Sequence, residues 1–204
     1  MSDLSIVSIS AGLGQPSSTR LLADRLAQAT LDALPEGKTA SVETIELRDL
    51  AHDVVNAMLT GFPSGKLPEA LDKVTGASGL IAVTPIFTTS YSGLFKSFVD
   101  ILDKDSLAGK PVLLGATGGT ARHSLALEYA VRPLFTYLRT DTVATGVFAA
   151  TADWAGEGDD VNPLPKRIER AGRELASRLA GGEPAAPAGP FGAVPSFEDM
   201  MRDL

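Results

Sequence analysis

Along almost the whole chain, short apolar runs alternate with longer stretches in which apolar residues recur every three or four positions. Leu4, Ile6, Val7 and Ile9 form a run suited to a strand buried on both faces. Val42, Thr44, Ile45 and Leu47 suggest a second strand, residues 79–84 a third that Pro85 ends, residues 111–116 a fourth and residues 143–149 a fifth. Helical patterns lie between them. The first starts near Ser18 and keeps Leu22, Leu26, Ala29 and Leu34 near one face, with Arg25, Gln28 and Asp32 elsewhere, until Pro35-Glu36-Gly37-Lys38 stops it. Further helices are expected over residues 48–59, 68–74, 92–102, 125–138 and 165–179, with Gly61-Phe62-Pro63-Ser64-Gly65 as a break.

Strands alternating with helices in this way predict an α/β protein whose parallel sheet is covered on both faces. Five strands with an anion-suited turn after the first fit the doubly wound order 2-1-3-4-5. Ligands of such sheets lie outside the carboxyl ends of the strands, where the strand order switches. The loops after strands one, three and four should therefore meet.

The first of these loops, Ser10-Ala11-Gly12-Leu13-Gly14-Gln15-Pro16-Ser17-Ser18-Thr19-Arg20, reads as a phosphate cradle. A helix starting near Ser18 aims its free N–H groups back at the loop, and Gly12 and Gly14 let successive N–H groups converge on an anion. Ser10, Ser17, Ser18 and Thr19 add hydroxyls, and Arg20 adds a charge. A dinucleotide fingerprint would need a third glycine and a P-loop would end in Gly-Lys-Ser/Thr; neither is present. An ordinary strand-to-helix turn with Ser18 as N-cap is the alternative.

Phe87 and Tyr91, in the loop over residues 84–93, offer flat surfaces for a planar ring, or else are core side chains. Lys96 and Asp100, one helical turn apart, read as a solvated ion pair. After the fourth strand, Thr117-Gly118-Gly119-Thr120 can bring N–H groups against a ring, or Thr120 can cap the next helix. His123 has no nucleophile pattern beside it and only His52 for company, so it reads as a packing or surface histidine.

Composition narrows the class. With 204 residues and 44% hydrophobic content the chain suits a single well-filled domain. No stretch approaches the roughly 20 apolar residues of a membrane span, and Met1-Ser2-Asp3 lacks the basic start and apolar core of a signal peptide. The sequence has no cysteine, which removes disulfides, thiolate metal sites and cysteine nucleophiles. A cytoplasmic enzyme with no membrane partner is expected. A net charge of −7 without basic runs argues against a nucleic-acid surface.

Three segments together carry a resemblance: Thr84-Pro85-Ile86-Phe87 through Ser92-Gly93-Leu94-Phe95-Lys96, then Ala116-Thr117-Gly118-Gly119-Thr120-Ala121-Arg122-His123, then Tyr129-Ala130-Val131-Arg132-Pro133-Leu134. Over about residues 4–150 the chain resembles the NADPH-dependent FMN reductase family, most of all the flavin reductases that partner alkanesulfonate and luciferase-like flavin-dependent monooxygenases. The resemblance implies a flavodoxin-like three-layer sandwich, FMN with NADPH or NADH, and transfer of hydride from nicotinamide to flavin. It assigns the FMN phosphate to Ser10, Ser17, Ser18, Thr19 and Arg20, one edge of the isoalloxazine to Pro85, Ile86, Phe87 and Thr88, and the other edge to Thr117, Gly118 and Gly119. The family commonly has an arginine soon after its first serine; here Leu13 or Gly14 stands in that region. No catalytic side chain is implied, because stacking and shielding two rings suffices.

By the same analogy reduced FMN leaves for a monooxygenase, flavin is held loosely, and the chain forms a homodimer or homotetramer, with Tyr129 at the position of an interface tyrosine. The alternatives are a tight-FMN reductase of quinones, azo dyes or metal oxyanions, and a flavodoxin-like electron carrier without a nicotinamide site. Residues 1–180 are read as the FMN-binding domain, and the acidic, glycine-containing residues 151–160 as a mobile loop. Residues 181–204 are read as a Pro/Gly-rich linker followed by a short amphipathic segment, Ser196 preceding Phe197, Met200, Met201 and Leu204. That segment either docks on a neighbouring subunit or an oxygenase, or is a frayed tail.

Overall fold

A computed structural model describes residues 4–182. In chain order the elements are β1 (Leu4–Ser10), α1 (Ser18–Asp32), β2 (Ala40–Glu46), α2 (Ala51–Thr60), α3 (Leu67–Gly76), β3 (Gly79–Phe87), β4 (Ser90–Tyr91), α4 (Gly93–Asp100), β5 (Pro111–Gly118), α5 (Arg132–Tyr137), β6 (Asp141–Thr142), β7 (Val147–Ala150), α6 (Thr151–Trp154) and α7 (Leu164–Leu179). The parallel sheet runs β2-β1-β3-β5, with β6 and β7 both pairing with β5. This is the expected 2-1-3-4-5 order, with the fifth position filled by two short strands.

Alternate side chains of the central strands enter two separate cores. Ile6, Ile81, Val83 and Leu113 pack with Leu22, Leu26, Ile168 and Leu175 of α1 and α7. Val7, Ile9, Leu80, Ala82, Val112 and Leu114 pack with Val54, Val74, Phe95, Phe98 and Phe135 on the other face. The period-two alternation of a strand buried on both sides thus fills both layers at once. The apolar stripe of α1 rests on α7 so closely that a Cβ on Gly172 would stand 2.6 Å from the Ala29 carbonyl carbon.

Four expectations need correction. Pro85 does not end the third strand: Pro85 pairs with Thr117, Phe87 pairs with Ser90, and the chain returns antiparallel as β4. At the carboxyl end of a strand, proline removes just its own donor and leaves the neighbouring ladder intact. The helix expected over residues 125–138 is broken into a π-turn at Leu127–Val131, where the Arg132 N–H reaches back to Leu127 O, and the short α5. Pro133 supplies the reason, since it has no N–H for the carbonyl four residues earlier and its ring crowds that group. The fifth strand is interrupted: Pro111 pairs with Asp141 and Gly115 with Val147, so four steps along β5 are matched by six on its partner. The detour is held by Arg132, which donates to Val143 O and Ala144 O at 3.0 Å, and by Glu174, which accepts the Thr145 N–H at 2.8 Å. Finally, the segment read as a loop over residues 151–160 opens with α6. The linker and amphipathic segment fall, from residue 183 onward, outside the described residues.

Candidate functional site

Four loops meet at the carboxyl ends of the central strands around a cleft of about 410 Å³. The loop after β1 contributes Leu13, Gly14, Pro16, Ser17, Ser18 and Thr19, and the end of β3 contributes Pro85, Ile86 and Phe87. The end of β5 gives Thr117, Gly118 and Gly119, and α6 gives Thr151 and Trp154. Nine of the twelve residues expected in a binding role therefore share one cavity; Ser10, Arg20 and Thr88 lie outside its lining.

Hydrogen bonds fix the first loop. The Ala11 N–H donates to Val83 O at 3.0 Å, carrying the sheet one residue past β1. Ser17, not Ser18, caps α1: its Oγ accepts the Arg20 N–H at 3.2 Å. Among the described residues no acceptor takes the N–H groups of Ser17, Ser18 or Thr19, which leaves them open to a ligand. The buried hydroxyls of Thr19 and Thr117 bond to each other at 2.8 Å and tie α1 to β5 across the cleft floor. Gly12 is required by space, because a Cβ there would stand 2.1 Å from Ser17 Oγ; Gly14 would meet just Pro16 O, at 3.4 Å. Neither glycine adopts left-handed backbone.

The second wall is the β3–β4 hairpin, turned by Thr88 (φ 48) and Thr89 (φ 70). Both are β-branched residues in a region that such side chains resist. Thr84 anchors the base, accepting the Ser92 N–H at 3.1 Å, while Ser92 Oγ accepts the Phe95 N–H at 3.1 Å. Tyr91 packs on Phe95, ring centroids 6.4 Å apart, and is half-buried against the core. Phe87 is 47% exposed and lines the cleft, so of the two aromatics it is the one that presents a face. On the opposite side a Cβ on Gly118 would meet the Phe148 ring at 2.8 Å, whereas Gly119 has open space around it. Thr120 caps the turn Ala121–His123, as its plain alternative expected.

Sequence reading missed the fourth wall. In α6 the Asp153 carboxylate accepts the Ala150 N–H at 2.8 Å and pairs with Arg167, which sets Trp154 against the cleft with the Arg25 guanidinium 5.1 Å from its ring centroid. The available signal was the single tryptophan of the chain, placed just past the fifth strand, where the rule of strand carboxyl ends applies as well.

Among the described residues no charged side chain lines the cleft. The Arg20 guanidinium bonds to Asp24 and Glu46, each at 2.8 Å. The hydrogen bond to Asp24, opposed by partial burial and aided by Glu46, raises its pKa above the ordinary value, so the charge is permanent but already matched. Arg48 likewise pairs with Glu46 at 3.0 Å and donates to Gly14 O at 3.3 Å. Among the described residues no group of three His, Asp or Glu side chains is placed to hold a metal.

A family model of NADPH-dependent FMN reductases matches residues 4–155. The chain belongs to this family. An FMN reductase (NADPH) of Pseudomonas aeruginosa is 35% identical over 89% of this chain and 95% of that protein. The NADH-dependent FMN reductase SfnE of Pseudomonas putida is 36% identical over 82% of this chain and 88% of its own length. A crystallised oxidoreductase from Corynebacterium diphtheriae superposes with a TM-score of 0.83 at 46% identity, covering 89% of this chain and 99% of that one. A flavodoxin, WrbA-like protein of Agrobacterium tumefaciens, at 17% identity and a TM-score of 0.58 over 89% of this chain and all of that one, shares the flavodoxin-like fold.

The cleft of this FMN reductase family member fits the family's cofactor on its own atoms. Its volume lies within the roughly 300–1,000 Å³ usual for cofactor sites. One end carries open helix N–H groups and three hydroxyls, and the other carries an exposed aromatic face and a glycine edge. Ser10 Oγ, at the last residue of β1, is buried and has no partner among the described residues.

Proposed function

We propose that this chain is an NAD(P)H-dependent FMN reductase that delivers reduced flavin to a flavin-dependent monooxygenase. The observation that carries the reading is a cleft of hydroxyls, backbone N–H groups and two aromatic side chains, Phe87 and Trp154, with no His, Lys, Asp or Glu among its described lining to serve as an acid or base. Bound FMN would supply the electron-accepting ring for hydride chemistry. The work of the chain is positional. Ser17, Ser18 and Thr19, with Ser10 at the strand end, hold the phosphate through hydroxyls and helix N–H groups, and Arg20 fixes Ser17 through its own N–H. Pro85, Ile86, Phe87 and Thr88 border one side of the ring and Thr117, Gly118 and Gly119 the other, leaving a face for the nicotinamide and keeping water from it. A lining without charge favours loose binding, which suits a protein whose product must leave.

Purified protein should be colourless and should oxidise NADH or NADPH when FMN is added. Stopped-flow mixing with a monooxygenase of this class should then show transfer of reduced flavin. Protein that stays yellow and follows ping-pong kinetics with a quinone would overturn the supplier role, and the absence of nicotinamide oxidation with FMN present would overturn the enzyme.

Self-association is part of the same proposal. Leu125 just before the π-turn, Tyr129 within it and Tyr137 at the end of α5 are 62%, 79% and 74% exposed, apolar side chains of the kind that protein interfaces cover. Light scattering after gel filtration should give a dimer or tetramer that Tyr129→Glu disperses; a monomeric wild type would refute it. A cytoplasmic setting, where reduced nicotinamides are made, completes the reading; among the described residues no helix is long and apolar enough to cross a membrane.

A further inference from the structure

A phosphate monoester carries about −1.5 to −2 charge at neutral pH, yet among the described residues the cleft lining holds no cation. The two arginines nearest the cradle in sequence and contact are both matched by carboxylates, Arg20 by Asp24 and Glu46, and Arg48 by Glu46 and, at 3.6 Å, Asp49. Arg25 differs. It makes no ion pair among the described residues, and its guanidinium carbon lies 5.1 Å from the centre of the Trp154 ring, within cation–π range. That ring is itself a wall of the cleft, shared with Ser17, Ser18 and Thr19. Asp153, the carboxylate next to it in sequence, is occupied by Arg167. Arg25 sits two helical turns beyond Ser18 on α1, and helical side chains lean toward the helix N-terminus, here toward the cradle.

We propose that Arg25, docked on Trp154, is the positive counterpart of the ligand's phosphate, so that the loop after β7 is a fourth binding loop. The inference rests on the FMN reductase reading. In this chain the charge that the family commonly places within the first loop enters from outside it, through an aromatic wall. Arg122, which also lacks an ion pair among the described residues, follows the glycine edge at Gly119 by three positions in sequence and is not part of the cleft lining.

The test measures dissociation constants of FMN and riboflavin by flavin fluorescence, on the full chain, at low and moderate salt. Arg25→Met, which keeps the apolar stem, should weaken FMN about five- to ten-fold and riboflavin less than about two-fold, with the FMN loss shrinking as salt rises. Trp154→Leu should reproduce that selective loss and Trp154→Phe should retain most of the discrimination. An Arg25→Met protein with unchanged affinity, or with equal losses for both ligands, overturns the proposal. Selective loss of FMN in Arg20→Met or Arg122→Met but not in Arg25→Met assigns the charge elsewhere and overturns it too. Wild-type protein that binds FMN and riboflavin equally defeats this inference alone, whereas wild-type protein that binds neither defeats the FMN reading on which it stands.

Discussion

Gly12 and Ser17 set the shape of the cradle together. The space a Cβ would need at Gly12 is filled by the hydroxyl that caps α1, so Gly12→Ala forces Ser17 off the Arg20 N–H. Loss of the cap should lower stability by about 1 kcal/mol, and the displaced hydroxyl should weaken FMN about ten-fold, measured by thermal melting and flavin titration. Gly14→Ala is the control, since its Cβ meets nothing closer than 3.4 Å and should change little. At this scale the sequence was informative where strand ends dictate position. Ser17 to Thr19, Pro85 to Phe87 and Thr117 to Gly119 follow directly from three strands ending at one rim. The direction taken by a long side chain does not follow from spacing: Arg20 turns to Asp24 and Glu46, the second of them 26 residues away.

Single elements carry costs that spacing alone does not announce. Thr88 and Thr89 hold left-handed backbone at the hairpin tip, at about 1–3 kcal/mol each. Thr89→Gly should relieve one of these and raise the melting temperature by a few degrees, roughly 2–4 °C for a chain of this size. A lower melting temperature would mean that Thr89 makes a compensating contact. The hairpin escaped the sequence reading because Pro85 reads as a stop signal, and the split of residues 125–138 escaped because Pro133 sits inside an otherwise continuous apolar stripe. Helix α6 depends on a distant partner. Asp153→Ala removes the acceptor of both Ala150 N–H and Arg167, which should cost about 1–3 kcal/mol in chemical unfolding and release Trp154 from the cleft wall. No local pattern encodes a one-turn helix whose anchor, Arg167, belongs to α7.

For the molecule as a whole, the order of strands and the two cores were legible because each central strand is apolar on both faces and each connection is long enough for a crossover. What the pattern did not reveal is the break opposite β5, where β6 and β7 share one side of the sheet. Its detour from Val143 to Gly146 is secured by Arg132 and Glu174, side chains that belong to α5 and α7.

That break has a bearing on colloidal behaviour. A long, straight outer strand would offer a template on which a second molecule could add its own backbone. Here the rim beyond β5 presents two residues, a kink and four more, too short and too misaligned for such growth on that side, while β2 forms the other rim. Excising Ala144 and Thr145 would restore an even register from Asp141 to Ala150, and the resulting protein should form fibrillar or amorphous aggregates on mild heating, seen as turbidity, at temperatures where the parent solution stays clear.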